Sequence, residues 1–417
     1  MTAQSLPTDL QFGPGFDFTN PALLARGLPV EEFATLRRAA PVWWNAQNPA
    51  DGGGFRDGGY WVVSKHAHIR EISRDPQTWS SHVNGCVMRY SNDMTAEGLE
   101  AAKVMMHNSD PPVHTRLRKL ISRIFVPRNV AALQEGLTSA ARQIVTTAAD
   151  KGDGDFVHDI AHQLPVKAIA DLIGFPEDDH DKLFRWTNAM MAAEDPDAAD
   201  DASAAMTELM GYSYLLAEQR KRSPADDIIT RLVTADADGD QLTEMEFGWF
   251  VLLLVVAGNE TTRNAISIGM EALLAHPDQW ELYKRTRAVT AADEIIRWAS
   301  PVNVFQRTAT RDTEIGGVPI RRGQRVGLFY GSANYDEDVF DEPFVFNIER
   351  DPNPHLGFGG TGPHYCIGAN LARMELTIML NAIADHLPDI ELTGRSVRGY
   401  SGWVNSVNEM PVRFVAR

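Results

Sequence analysis

The run from Phe358 to Gly368 reads Phe-Gly-Gly-Thr-Gly-Pro-His-Tyr-Cys-Ile-Gly, a string of turn formers that presents Cys366, one of only two cysteines in the chain. Helix-prone residues from Ala369 to Leu376 follow it, so the sulfur meets the free N–H groups and the positive dipole end of a helix, which are expected to lower its pKa. A lone thiolate without Cys or His partners at zinc spacing excludes a structural zinc site, which needs four ligands. One thiolate is enough for haem iron. The alternative for this loop alone is a buried structural cysteine after a turn. Cys86 has no base or metal partner near it and reads as an inert small hydrophobe.

A second chemical segment is Ala257-Gly258-Asn259-Glu260-Thr261-Thr262. Polar groups and a glycine inside an otherwise apolar helix are costly unless they are used. Thr261 is placed to donate to the carbonyl of Ala257 and to open the ladder into a groove beside Gly258, wide enough for dioxygen or water. A threonine that only satisfies itself is the alternative. His114 and Arg118, four apart on one helix, project together and can grip carboxylates. Glu294 and Arg297 form a helical acid–base pair that is a weak signal taken alone. Two other signals fail. The glycines from Asp51 to Gly54 open no helix and carry no phosphate-loop lysine. Asp236, Asp238 and Asp240 have calcium-loop spacing with the glycine displaced to Gly239 and Phe247 at the twelfth place, which excludes an EF-hand.

The cysteine loop resembles that of the cytochrome P450 family, Phe-Gly-x-Gly-x-His/Arg-x-Cys-x-Gly, with Gly362, His364, Cys366 and Gly368 at its places and one extra residue before Gly362. That extra residue leaves open which aromatic shields the sulfur. The long-helix segment is similar to the family's Ala-Gly-x-Glu/Asp-Thr motif. The resemblance implies a mainly α fold, a large helical lobe and a smaller β-rich lobe with haem b between them, in one two-lobed unit over residues 1–417. It implies Cys366 as iron ligand; His114, Arg118, Arg307 and His364 around the haem, the first three on its propionates; Ala257 and Gly258 beside it; and Glu260 and Thr261 as the acid and alcohol that deliver protons. Glu294, Arg297 and Arg350 would support the ligand loop. Val87, Met88, Tyr90, Val256, Val304, Phe305 and Trp403 would line the substrate cavity. The implied activity is a monooxygenase fed by ferredoxin and an NAD(P)H-dependent ferredoxin reductase. Gly13 to Thr19, Gly258 to Asn264, Asn353 to His355 and Gly359 to Asn370 further resemble the actinobacterial steroid 26-monooxygenases, which implies a sterol substrate oxidised at a terminal side-chain methyl. An ω-hydroxylase of branched or fatty lipids is the alternative substrate class. A peroxygenase or isomerase on the same haem usually dispenses with the acid–alcohol pair, and a non-catalytic haem-thiolate carrier has no need of a capacious apolar cavity.

The elements that must position these residues are legible in part. Thr243 and Glu246 form a capping box, and the helical pattern then runs without proline to Ala275, before Pro277. The apolar block Phe247 to Gly258 is too short and interrupted to span a membrane. Asp110 reads as an N-cap with Pro111 at the first helical position. Arg116, Lys119 and Arg123 fall on another face of that helix and are expected to dock an acidic electron donor. Val30 to Ala40 is helical; Pro41 to Ser64 and Thr313 to Tyr330 read as hairpins; Ser81 to Tyr90 is a loop after a helix ending near Trp79. Val126 to Ala235 reads as successive helices, with the acidic run Glu194 to Asp201 as a solvated loop over the pocket entrance. Tyr400 to Phe414 reads as a hairpin that drops Trp403 into the cavity. With 39 Lys plus Arg against 56 Asp plus Glu, the chain carries a net charge of −17, which speaks against wholesale binding to nucleic acid or anionic membrane. Its 44 % hydrophobic content is that of a globular protein with a large core. Met1 to Gly15 shows no signal peptide or anchor, and two distant cysteines give no disulfide framework, so the cytoplasm is the expected compartment.

Overall fold

The computed structural model describes residues 12 and 15–415, apart from 91, 93, 192–198, 226, 235–239 and 388. Most of the expected N-terminal arm, most of the acidic run after Glu194, and Asp236 and Asp238 lie outside the described residues.

The molecule is built around the helix Glu244–Ala275, 32 residues and therefore about 48 Å long. Its start is the expected capping box: Thr243 Oγ1 accepts from the Glu246 N–H at 3.1 Å, and the Glu246 carboxylate accepts from the Thr243 N–H at 2.9 Å. Apolar residues run all round it, so it is buried among helices Gln163–Ile173, Ala199–Arg222, Ala291–Ala299 and Ala369–His386. Two glycines set the closest approaches. A Cβ at Gly258 would lie 2.7 Å from Ile169 Cδ1, and one at Gly269 would lie 2.6 Å from Ile295 Cγ2. Among the described residues no helix is long and apolar enough to cross a membrane.

Beside this helical body lies a five-stranded sheet in the order Val42–Ala46, Gly59–Val63, Arg325–Phe329, Val304–Ala309, Trp79–Ser80. The first hairpin pairs as expected, Val42 opposite Val63. Other expectations need correction. The helix before Ser81 is His66–Arg74 and stops short of Trp79, which is a strand residue paired with Ala309. The hairpin after Arg307 closes over Thr313–Ile315 and Val318–Ile320, while Arg325–Phe329 joins the main sheet and Tyr330 opens a helical turn. In the C-terminal segment Val397–Arg398 pairs with Val407–Glu409, and Pro411–Val415 leaves to pair with Asp389–Leu392 and Asp153–Asp155.

Asp110 does not cap the helix Val113–Ser122. Pro112 stands at its N-cap, and the Asp110 carboxylate instead accepts from the Ser81 N–H at 2.7 Å and from the Ser80 hydroxyl. The acid fastens the strand end at Ser80 and the start of the Ser81 to Tyr90 loop to that helix, because two donors there outbid the helix N–H groups for it.

Candidate functional site

Cys366 sits on a loop pressed against the end of helix His66–Arg74. A Cβ at Gly362, where φ is +86°, would lie 2.1 Å from the Ser73 carbonyl oxygen, so only glycine fits there. The extra residue of the loop is absorbed next to it: Thr361 takes φ +74°, and its hydroxyl accepts from Arg74 Nε at 2.9 Å. The Cys366 N–H donates to the Phe358 carbonyl at 2.9 Å. Arg373, ion-paired with Asp293 at 2.7 Å, lies over the Phe358 ring at 4.5 Å. A second ring stands by the sulfur: Phe125 and Cys366 Sγ each lie 3.9 Å from the position of a Cβ at Gly368. Cys366 is exposed, yet the protein packed around its thiol raises its pKa, opposed by the Gly368 N–H, Arg118 and Arg373. Both hold for a sulfur facing an interior cleft. The expected downward shift is thus corrected, since burial outweighs the helix end.

Donor groups gather beside the loop. The rings of His114 and His364 lie 4.1 Å apart, and His364 Nε2 meets Ser81 Oγ at 3.1 Å. Arg118 reaches across with Nη2 to the Tyr365 carbonyl at 2.6 Å. Arg307 is buried, and its Nη1 donates to the Gln306 carbonyl at 2.6 Å. Burial, followed by Arg118 and Arg307, brings the His114 pKa down to about 4. Burial and then Arg307 likewise hold His364 far below the usual imidazole range. Among the described residues neither Arg118 nor Arg307 is ion-paired with an acid. Two guanidiniums, Arg307 buried and Arg118 half-buried, with no carboxylate of their own match a group that carries two carboxylates, and the haem implied by the resemblance is such a group.

On the long helix, Thr261 Oγ1 donates to the Ala257 carbonyl at 2.6 Å. The backbone stays α-helical throughout, and Ile169 packs where a Cβ at Gly258 would lie, so that glycine lets the two helices approach. Ala257 is exposed between buried Val255 and Asn259, so the accessible side of this helix is that of Ala257. Burial raises the Glu260 pKa, and Arg263 opposes the rise. A neighbouring polar contact escaped sequence reasoning: His162, buried in the turn that leads into helix Gln163–Ile173, meets Asn259 Nδ2 at 3.4 Å through Nδ1.

Glu294 and Arg297 are both fully buried and joined twice, at 2.7 and 2.8 Å. Arg350 adds a contact of 3.2 Å to the same carboxylate, which also accepts from the Asn347 N–H at 2.9 Å and Asn353 Nδ2 at 3.0 Å. Arg297 Nη1 in turn ties down the carbonyls of Asn334 and Pro343, both at 2.9 Å.

The expected cavity wall is only partly assembled. Phe305 stacks on Trp403 with centroids 5.8 Å apart, and strand alternation puts Phe305 on the same face as Arg307. That alternation sends Val304 to the opposite face, where it is buried with Phe18, Phe33, Phe329 and Met88. Val304 and Met88 are therefore core residues and not wall. Tyr90 wedges against Phe55 and Gly85, and Val87 and Val256 remain partly accessible. Arg116 also leaves its expected role. It bridges to Asp240 at 2.9 Å and Glu246 at 2.6 Å, binding its helix to the start of the long one.

The profile of the Cytochrome P450 family matches residues 286–386. The Steroid C26-monooxygenase of Mycobacterium tuberculosis is 54 % identical over 405 residues, covering 97 % of this chain and 94 % of that protein. The Methyl-branched lipid omega-hydroxylase of the same species is 40 % identical over 392 residues, covering 91 % and 90 %. A solved structure of a Mycobacterium marinum cytochrome P450 in complex with pseudoionone matches with a TM-score of 0.85 and 35 % identity, covering 98 % of this chain and 100 % of that one. With a single exposed thiol on a glycine-rich loop, carboxylate-seeking cations beside it and near-full-length likeness to these relatives, the chain belongs to the cytochrome P450 family and is a haem-thiolate monooxygenase.

Proposed function

We propose that the chain hydroxylates a terminal methyl of a sterol side chain, with cholest-4-en-3-one or cholesterol as substrate. The observation that carries this reading is the 54 % identity, spread over 97 % of the chain, to a steroid C26-monooxygenase. In this reading Cys366 holds the haem iron and His114, Arg118 and Arg307 hold its carboxylates. When bound, the haem supplies activation of dioxygen with two electrons. The protein's own work is to orient the substrate, keep water out and move protons. Phe305 and Trp403 offer a flat, uncharged wall to rigid rings, which gain on the order of 25 cal/mol for each Å² of apolar surface buried. A terminal C–H bond is stronger than the neighbouring tertiary one, so the walls must impose the geometry of attack.

Protons reach the reacting oxygen through the Glu260 carboxyl and the Thr261 hydroxyl. In Thr261→Ala, substrate binding is retained while product formed per NAD(P)H consumed falls by on the order of tenfold or more, because positioned proton transfer contributes about 10²-fold to 10⁴-fold. Oxygen electrode and product assays measure this, and unchanged coupling removes Thr261 from the mechanism.

Electrons come from a ferredoxin reduced by an NAD(P)H-dependent reductase. Lys119, on helix Val113–Ser122, and Arg123 at its C-cap are proposed for the docking face. Arg70 and Arg74, lining a cleft of about 640 Å³ on helix His66–Arg74, extend it on the side of the cysteine loop.

Titration with cholest-4-en-3-one at micromolar concentration is expected to shift the Soret band to shorter wavelength, and turnover to give the 26-hydroxy product. The 40 % identity to a methyl-branched lipid omega-hydroxylase favours a second reading, in which a branched lipid is the substrate. A shift with branched fatty acids and none with cholestenone would replace the first reading by the second.

A further inference from the structure

Just beyond the acid and the alcohol, the long helix carries a cation that neither motif accounts for. Arg263 follows Glu260 by three residues, a spacing that brings the two Cβ atoms to about 5–6 Å on one side of the helix. Arg263 is buried, and a charged group is costly there unless a partner of opposite charge is near. The guanidinium is also held in place. Its Nη2 donates to Asn264 Oδ1 at 3.3 Å, and the same oxygen accepts the Val407 N–H at 3.2 Å from strand Val407–Glu409.

Two carboxylates act on this cation, Glu260 first and Asp155 second. Asp155 has other donors, because its two oxygens accept the N–H groups of His158 and Met410, each at 2.8 Å. His162, ahead of helix Gln163–Ile173, is brought down to about 4 by burial and then by Arg263, so it is uncharged at neutral pH. Glu375, buried on the packed helix Ala369–His386, is pushed well above the usual carboxyl range by burial, which favours its neutral form. Among the described residues Arg263 is the one charge that acts on Glu260, and it opposes the upward push of burial.

We propose that Arg263 is a positioning residue for proton delivery, its guanidinium steadying the ionised form of the Glu260 carboxyl so that the acid can release its proton and be reloaded. The proposal rests on the reading of Glu260 and Thr261 as the proton path. In each cycle the protonated carboxyl gives its proton toward the Thr261 hydroxyl, is left as a carboxylate, and takes the next proton from water. Such a relay works best when neither form of the acid is too stable. Burial alone holds the proton too firmly, and a fixed positive charge one turn away restores the balance. The structural alternative is a side chain that only ties the long helix to Val407.

Infrared difference spectra of the holoenzyme, taken as the pH is stepped, read the C=O band of a protonated carboxyl without reference to turnover. Glu260→Gln identifies the band by removing it. In Arg263→Gln the titration midpoint of that band is expected to rise by about one pH unit or more, the usual effect of losing a nearby opposite charge. Product formed per NAD(P)H consumed is expected to fall with it. Arg263→Lys keeps the charge and is expected to hold both near their wild-type values. An unchanged midpoint in Arg263→Gln, or a midpoint in Arg263→Lys as high as in the Gln variant, overturns the proposal and leaves Arg263 as a structural tie. Unchanged coupling in Glu260→Gln would remove the acid from the proton path and the proposal with it, a failure told apart from the first because the midpoint can still move. Should Arg263→Gln fail to fold, Arg263→Met replaces it in the same comparison.

Discussion

Cys366→Ser is expected to abolish the long-wavelength Soret band of the reduced carbon monoxide complex and to end monooxygenase turnover. Only a thiolate supplies the electron donation behind that band, and a serine hydroxyl stays protonated at neutral pH. The substitution is conservative for the loop. Its frame is the contact of Gly362 with Ser73, the Thr361–Arg74 hydrogen bond and the bond from the Cys366 N–H to Phe358, none of which uses the sulfur. Loss of the band can therefore be separated from loss of fold by comparing the thermal melts of the two apoproteins. A band that survives in the serine variant would show that Cys366 is not the ligand.

The second large effect is expected at Arg297. Arg297→Met removes a guanidinium that is fully buried, and leaves the Glu294 carboxylate buried with only Arg350 as charged partner. Breaking a buried pair on one side costs roughly 3–5 kcal/mol, a large part of the 5–15 kcal/mol that usually separates folded from unfolded chains. More is lost than the pair. The same guanidinium holds the carbonyls of Asn334 and Pro343 and lies within 5.2 to 5.8 Å of the rings of Tyr335, Phe340 and Trp298. Asn334 in turn accepts the Leu356 N–H at 2.7 Å through Oδ1, which anchors the chain just before the cysteine loop. The variant should therefore unfold at lower denaturant concentration and yield less haem-loaded protein. Denaturation monitored by far-UV circular dichroism checks this, and an unchanged midpoint would remove the pair from the support of the loop.

What could be read in advance depended on the range of the interaction. The long helix was legible because its capping box, apolar run and lack of proline are all local, and so was the Thr261–Ala257 bond inside it. The Glu294–Arg297 pair was local too, but Asn347 and Asn353, which complete the hydrogen bonding of that carboxylate, arrive from more than fifty residues away and bear no mark in sequence. Arg116 misled for the same reason, since Asp240 and Glu246 meet it only in the folded chain. Val304 was a different kind of error. Adjacent strand residues cannot share a face, and period two already forbade placing it with Phe305. Met88 lies in an irregular loop with no period to expose its burial. Asp110 had two claimants, a helix end and a distant loop, and sequence names only the first.

The two glycines of the long helix bear on how a protein of this kind can open and close. Gly258 and Gly269 are eleven residues apart, close to three whole turns, so Ile169 and Ile295 enter the helix surface nearly in line, about 16 Å from each other. A one-turn slide of about 5.4 Å, the step by which elements ratchet past one another, would drive both side chains onto backbone that carries a Cβ. Rotation about the axis meets the same two stops. The span between them, which holds Glu260 and Thr261, is thus keyed to both neighbouring helices, so a slide or turn of it has to displace two isoleucine side chains first.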